Sequence, residues 1–452
     1  MNIIVIGCGK IGTAIIENLA NEGHNLIAMD TNRAALSEVT NVYDIMGVCG
    51  NGVDCEALEE AGVEKAELLI AVTGSDEFNM LSCFLAKRMG AKHTIARIRN
   101  PEYNDQSLGF MKEQLDISMT INPEKLSAEE LFNILKLPSA VKVEPFARRK
   151  LELVEIRVKE GTVLDGVQIS DLRDKYKENF LVCVVKRGDE VYIPDGSFTL
   201  SVGDRIGITA TPAEIHKLLN SMGVLTRGAK NVMILGASRI AFYLAKMLTA
   251  AGNQVKIVDK SIERCKNFSE ALPKAMVICG DGAHQEILLE EGLKDLDAFV
   301  SLTGMDEENI LVSIFASSQN VPKVISKINR DELADMAENL GLDSIVSPHK
   351  AISDVVVRYA RALKNSLGSS VETLYKLMDG DVEAVEFNVL EQSDVVDVPL
   401  SSLKLQKHIL IAGIIRGRKT FIPTGNDCIK VGDSVVVISE NRKLNNISDI
   451  LK

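Results

Sequence analysis

The sequence predicts an α/β protein: a doubly wound parallel-sheet domain made twice in tandem, each copy followed by a small α+β domain. Three observations predict this. First, Asn2-Ile3-Ile4-Val5-Ile6-Gly7-Cys8-Gly9-Lys10-Ile11-Gly12 returns as Asn231-Val232-Met233-Ile234-Leu235-Gly236-Ala237-Ser238-Arg239-Ile240-Ala241, an offset of 236 − 7 = 229 that Asp30 and Asp259 share. Second, apolar runs alternate with stretches of helical period in both copies. Third, each copy ends in a segment rich in β-branched residues with matching turn signals, Tyr192-Ile193-Pro194-Asp195-Gly196 and Phe421-Ile422-Pro423-Thr424-Gly425. Order is kept over the whole length, so this is a tandem duplication and not the short period of a solenoid.

Residues 2–7 form an unbroken apolar run, as a parallel strand covered on both faces requires. A helix follows from Lys10 to Asn21, with Ile11, Ile15 and Leu19 on one face. The pattern continues with a strand over Asn25–Asp30, a helix over Arg33–Val39, a strand over Tyr43–Cys49 and a helix over Val53–Ala61. A strand over Leu68–Thr73, a helix over Glu77–Met89 and a strand over Thr94–Ile98 complete the unit. The second copy repeats the script from Asn231 to Ile328, and carries Cys279-Gly280-Asp281-Gly282 for Cys49-Gly50-Asn51-Gly52. Connecting helices follow. Ser127-Ala128-Glu129-Glu130 reads as a capping box opening a short helix that Pro138 ends. Ala351 to Leu367 is the counterpart, with Gly368-Ser369-Ser370 as its exit. The β-rich modules span roughly 150–222 and 380–452. The resulting domain division is 1–140, 141–228, 229–369 and 370–452.

A chain of 452 residues is too long for one core. Its 46% apolar and 25% charged content is that of an ordinary globular protein. The net charge of −12 argues against nucleic-acid binding, which needs a basic stripe. No run of some eighteen apolar residues predicts a membrane span, and the N-terminus reads as a strand entering a glycine turn, not as a secretory signal. The expected location is therefore cytoplasmic. The eight cysteines lack zinc or disulfide spacing and read as small apolar residues in a reducing compartment. The six histidines fall in no metal or triad pattern.

Gly7, Gly9 and Gly12 spell a complete GxGxxG between a predicted strand and a predicted helix, with Asp30 placed 30 − 12 = 18 residues on. Gly7 permits the tight turn, Gly9 lets backbone approach a pyrophosphate, and Gly12 lets helix and sheet close up. Helix N–H groups then bind phosphate. In this context the motif reads as a Rossmann dinucleotide cradle. Asp30 is placed to accept from a ribose and to repel a 2′-phosphate, which favours NAD over NADP. Arg33 stands near and could pair with a phosphate or lie exposed. Thr73 and Gly74 end the fourth strand, where strand ends face the crevice. Lys10, and Arg239 in the second copy, reach a phosphate or are solvated first-turn side chains. The second copy keeps Gly236 but has Ser238 for Gly9 and Ala241 for Gly12. Ser238 adds a side chain where the backbone comes closest to the ligand, while Asp259 keeps the ribose acceptor.

Together these residues resemble the TrkA family, the cytosolic NAD-binding component of Trk potassium uptake systems, along essentially the whole chain. Gly7-Cys8-Gly9-Lys10-Ile11-Gly12, Asp30-Thr31-Asn32, Val72-Thr73-Gly74-Ser75-Asp76-Glu77 and Ile95 to Tyr103 carry the resemblance. It implies two RCK domains, each followed by a TrkA-C-like domain. It places nucleotide contacts on Gly7, Cys8, Gly9, Lys10, Ile11, Asp30, Thr73, Gly74 and Arg97, and in the second half on Gly236, Ala237, Ser238, Arg239, Ile240, Asp259 and Thr303. Lys327 stands there in place of Arg97. The ligands implied are NAD(H) and the adenine nucleotides ATP and ADP. The partners implied are an integral membrane, TrkH-like potassium transporter subunit and further copies of the chain in a ring on the cytoplasmic face of the membrane, without direct membrane insertion. Two cradles and no evident acid–base constellation favour a regulatory subunit without catalysis. The alternative is an NAD-dependent dehydrogenase, and a small-ligand sensor in the β-rich modules is compatible with the first reading.

Overall fold

The structure is a computed structural model that describes residues 1–103, 105–146, 149–224, 228–365, 371–440, 444 and 446–452. Its first unit runs β1 (Asn2–Ile6), α1 (Lys10–Asn21), β2 (Asn25–Asp30), α2 (Arg33–Tyr43), β3 (Met46–Cys49), α3 (Cys55–Glu60), β4 (Leu68–Ala71), α4 (Asp76–Arg88), β5 (His93–Arg97), α5 (Asp105–Gln114) and β6 (Met119–Ile121), then the helix α6 (Pro123–Lys136). The strands are parallel in the order β3-β2-β1-β4-β5-β6. The order reverses between β1 and β4, so a crevice opens beyond their carboxyl ends. Ile3, Ile4, Val5 and Ile6 are all buried, which is why β1 reads as a continuous apolar run.

A small antiparallel domain follows: β7 (Ala140–Phe146), β8 (Leu151–Arg157), α7 (Ile169–Lys175), β9 (Leu181–Arg187), β10 (Glu190–Tyr192), β11 (Arg205–Ala210) and α8 (Pro212–Ser221), in the order β10-β9-β11-β8-β7. The second large unit comprises β12 (Asn231–Leu235), α9 (Arg239–Ala250), β13 (Gln254–Asp259), α10 (Ile262–Ala271), β14 (Met276–Cys279), α11 (Gln285–Glu290), β15 (Ala298–Ser301), α12 (Asp306–Ser318), β16 (Lys323–Lys327), α13 (Asp331–Asn339), β17 (Ile345–Val346) and α14 (Pro348–Asn365). Its sheet, β14-β13-β12-β15-β16-β17, repeats the first. The chain closes with β18 (Val371–Leu377), β19 (Val382–Asn388), β20 (Ile409–Arg416), β21 (Lys419–Phe421) and β22 (Asp433–Glu440), again antiparallel. In the places of α7 and α8 the described residues there form single turns at Leu400–Ser402 and Ile447–Ile450.

The long helices are exchanged between the halves. Ala128, Leu131, Ile134 and Leu135 of α6 lie in one core cluster with Val232, Ile234, Leu244 and Val300 of the second unit. Ile352, Val356, Val357 and Ala360 of α14 lie in the core of the first unit with Ile15, Leu19 and Ile70. Each large unit is thus completed by a helix from the other half. Arg361 of α14 fastens the exchange, donating to Glu22 beside α1 at 2.8 Å and to Glu383 of β19 at 3.0 Å. The small domains pack face to face. Phe146, Leu151, Leu153 and Val184 meet Met378, Ala384, Ala412 and Val436, and the buried Glu155 pairs with Arg205 at 2.7 Å while accepting from the Met378 N–H at 3.2 Å.

Some sequence expectations are corrected. The expected capping box at Ser127 is not a helix start. α6 begins at Pro123, because Asn122 accepts from the Lys125 N–H at 2.9 Å and proline suits the first helical position. Ser127 is buried inside the helix, donating to the Pro123 carbonyl at 2.9 Å. Tyr43 belongs to α2, not to the following strand, since Asp44 in the left-handed region (φ 50°) ends that helix. α14 starts at Pro348, ahead of the expected Ala351, and Gly368-Ser369-Ser370 lies outside the described residues.

Candidate functional site

The end of β1 builds the first cradle. Gly7 turns the chain at φ +103°, and a Cβ there would lie 3.1 Å from the Thr73 nitrogen. Gly12 sits where a Cβ would meet the Gly7 carbonyl oxygen at 1.7 Å, so only glycine lets α1 seat this close to the turn. At Gly9 an added Cβ meets nothing within 4 Å. Gly9 is also the N-cap of α1 and supplies no side-chain hydrogen bond to it. The first-turn N–H groups of α1 are therefore left to whatever enters the crevice, the arrangement that binds phosphate at a helix start.

Asp30, the last residue of β2, aims its carboxylate across this turn. Its oxygens accept from the Cys8 N–H and the Asn32 N–H, each at 2.7 Å. An acceptor fixed in this way, open on one side, suits a ribose diol. The Cys8 thiol itself turns into the core and is pushed up to about 12 by burial and by Asp30, so it stays protonated and supplies no nucleophile. Thr73 is fixed by Asn79, which is fully buried: the Asn79 Oδ1 accepts from the Thr73 N–H at 2.8 Å and hydroxyl at 2.7 Å, and its Nδ2 donates to the Arg97 carbonyl at 2.9 Å. Asp76 accepts from the Arg99 and Asn100 N–H groups, each at 2.8 Å. These two polar anchors hold the ends of β4 and β5 together. Arg97, buried, donates to the Thr73 carbonyl, and its guanidinium is pushed down to about 10 by burial, with Arg99 adding to the effect.

Gly7, Gly9, Lys10, Ile11, Asp30, Thr73, Gly74 and Arg97 all line one cavity of about 660 Å³. Cys8 and Gly12 stand behind its wall. Sequence reasoning missed several contributors. Gly50, Asn51 and Gly52 line the cavity after β3; their recurrence as Gly280-Asp281-Gly282 was a usable signal. Phe78 lines it from α4. His349 enters from α14, in the other half of the chain, and no sequence signal could have placed it. Burial, then Lys10 and Lys327, depress its ionisation, so at neutral pH the ring is uncharged.

The second cradle repeats the frame and differs in the mouth. Gly236 makes the same turn at φ +97°, and Asn309 holds Thr303 as Asn79 holds Thr73. Lys327, in Arg97's place, donates to the Thr303 carbonyl at 2.6 Å. Ala237, Arg239 and Ile240 follow in the turn and the start of α9. Here Ser238 is the N-cap, and its hydroxyl accepts from the Ala241 N–H at 3.3 Å, so one first-turn donor is already satisfied. Asp259 accepts from the Ala237 N–H at 2.7 Å and the Ser261 N–H at 2.8 Å, and also from the Arg264 guanidinium at 2.7 Å. Burial works against the charge on Asp259, yet Arg264 and the two N–H groups hold its carboxyl below the usual range. A ribose would have to share or displace that guanidinium. Among the described residues no group of histidine, cysteine and carboxylate side chains could hold a metal ion.

Residues 3–123 and 232–348 match the TrkA-N domain, and residues 153–223 and 384–452 the TrkA-C domain. The chain is 30% identical over 452 residues, the full length of both proteins, to a Trk system potassium uptake protein TrkA homolog of Archaeoglobus fulgidus. It is 31% identical over 447 residues, 97% of each chain, to a TrkA homolog of Methanosarcina mazei. Among solved structures, the GsuK RCK domain superposes with a TM-score of 0.63 at 15% identity, covering 97% of this chain and 92% of that one. The GsuK channel bound to NAD gives 0.63 at 15% identity, over 97% and 77% of the two chains. At such identities the likeness concerns the fold.

Proposed function

The chain belongs to the TrkA family, and from that premise we propose that it is a regulatory subunit without catalysis, which carries NAD(H) in its first cradle and sets the activity of a TrkH-like membrane potassium transporter. The Trk relatives and the RCK fold support a regulatory nucleotide-binding component of potassium transport. The observation that carries the finer reading is the cavity at the end of β1. It joins an uncapped helix start, a positioned carboxylate and two cations, Lys10 and Arg97, in one space. Dinucleotide phosphates would lie on the α1 N–H groups and the ribose on Asp30; ATP and ADP present the same groups and compete for them. Gly236 to Ile240, Asp259 and Thr303 form the weaker, second cradle.

In this reading nucleotide acts by binding one arrangement of the two halves better than another. His349 of α14 at the wall of the first cavity offers a direct route, since α14 is also the helix that completes the first unit. Copies of the chain form a ring on the cytoplasmic face of the membrane, held there by the transporter. No described helix is long and apolar enough to cross a membrane.

A dehydrogenase would need an acid or base aimed at the nicotinamide. The adjacent thiol of Cys8 is held protonated and the Thr73 hydroxyl is committed to Asn79, which favours binding over turnover. Titration of the purified protein should give submillimolar NADH affinity with no oxidation of alcohols or hydroxy acids. Robust turnover of any such substrate would remove the regulatory reading.

A further inference from the structure

Cys265 and Cys279, 279 − 265 = 14 residues apart on consecutive elements, lie near each other at the rim of the second large unit. Cys279 ends β14, exposed to solvent, in register with Asp259 of β13. Cys265 stands in the first turn and a half of α10, which packs on β14. Its buried thiol donates to the Asp259 carbonyl at 3.2 Å and lies 3.7 Å from the carbonyl of Ile278, the residue before Cys279. The two thiols are close enough to interact electrostatically, and both are free. The arrangement is confined to the second half. The first has Cys49 at the end of β3 but Leu36 at the position of Cys265, at 265 − 229 = 36.

We propose that Cys265 and Cys279 form a reversible dithiol–disulfide site, oxidised by small disulfides of the glutathione class. The division of labour follows from exposure. The Cys279 thiolate attacks one sulfur of the small disulfide, whose S–S bond breaks; one small thiolate leaves and takes a proton from solvent. Cys265, losing its proton, then attacks the Cys279 sulfur of the mixed disulfide. The Cys265–Cys279 bond forms, and the second small thiolate departs and is protonated. Two protein thiols are oxidised by two electrons while one small disulfide is reduced to two thiols. Burial, reinforced by Cys279, pushes the Cys265 thiol up to about 11, which leaves the exposed Cys279 as the thiol that meets the small disulfide first.

The position gives the bond a consequence. An S–S bond of about 2.05 Å replaces a looser thiol contact and draws the start of α10 toward β14. Arg264, next to Cys265, is the residue whose guanidinium occupies Asp259. Oxidation therefore acts on the contact that closes the ribose end of the second cradle. The chemistry itself does not rest on that cradle binding nucleotide.

The test is peptide mapping of the full-length protein under non-reducing conditions after incubation with oxidised glutathione. The expected result is a Cys265–Cys279 cross-link in most chains, reversed by reduced glutathione. Cys265→Ser should trap a stable glutathionyl adduct on Cys279, and Cys279→Ser should yield neither cross-link nor adduct at Cys265. An unperturbed melting temperature serves as the folding control for both variants. A wild-type protein that keeps a mixed disulfide on Cys279 without closing it, or that joins Cys279 to any other cysteine, would overturn the proposal.

Discussion

At Gly9 an added side chain has open space in the protein itself, so Gly9→Ser tests the ligand and not the fold. The second cradle carries that serine naturally, where it caps α9. We expect Gly9→Ser to keep or slightly raise the melting temperature, as a capping serine does, while NADH affinity falls by at least about tenfold, or about 1.4 kcal/mol. Isothermal titration beside a thermal melt separates the two effects. Asp30→Ala should also weaken NADH, by the about 1.5–3 kcal/mol of a hydrogen bond to a charged group, whereas Asp259→Ala should leave the NADH isotherm of the first cradle unchanged. Equal losses from both substitutions would mean that the cradles are not distinguished as their contacts suggest. The chemistry-bearing residues near the glycine turns were legible because strand, turn, helix and acid follow one another in the chain. His349, Phe78 and the Arg264–Asp259 pairing were not, because each depends on how elements approach one another and not on spacing within one.

Among the elements, the alternation of strands and helices could be read directly, since apolar period follows burial. The partner of each long helix could not: α6 has the same amphipathic stripe whichever sheet it covers. The exchange predicts an unusual pattern of damage. Leu131 of α6 is fully buried among residues of the second unit, so Leu131→Ala should cost about 2–5 kcal/mol and loosen β12, β13 and β15. Val356→Ala in α14 should instead loosen β1 and β2. Hydrogen exchange followed by mass spectrometry reads this out. Protection lost in the half that holds the substituted residue, and kept in the other, would contradict the exchange.

For the molecule as a whole, the joints between units bury ionisable groups. Lys323 of β16 reaches across to the Ala140 carbonyl of β7 at 2.6 Å, tying the second large unit to the first small domain. Burial pushes its ammonium from the ordinary 10.5 down to about 7. Between those values the unfolded chain holds a proton that the folded chain has released, so this lysine makes stability rise with pH across that window and leaves it lowest at the acid end. Lys323→Met should flatten the stability profile between pH 7 and 10.5, as measured by urea midpoints. An unchanged slope would show that the ammonium finds solvent or a partner at that joint.

These joints matter because both halves line the first cavity, through the α1 turn and through His349, so a nucleotide bound there would touch both at once. The most direct measurement is potassium flux through the transporter subunit in proteoliposomes, with this protein added and NADH or ATP varied. Flux should depend on nucleotide with the wild-type chain and lose that dependence with Asp30→Ala. Flux indifferent to nucleotide, under conditions where the wild-type chain is saturated with NADH, would contradict the account.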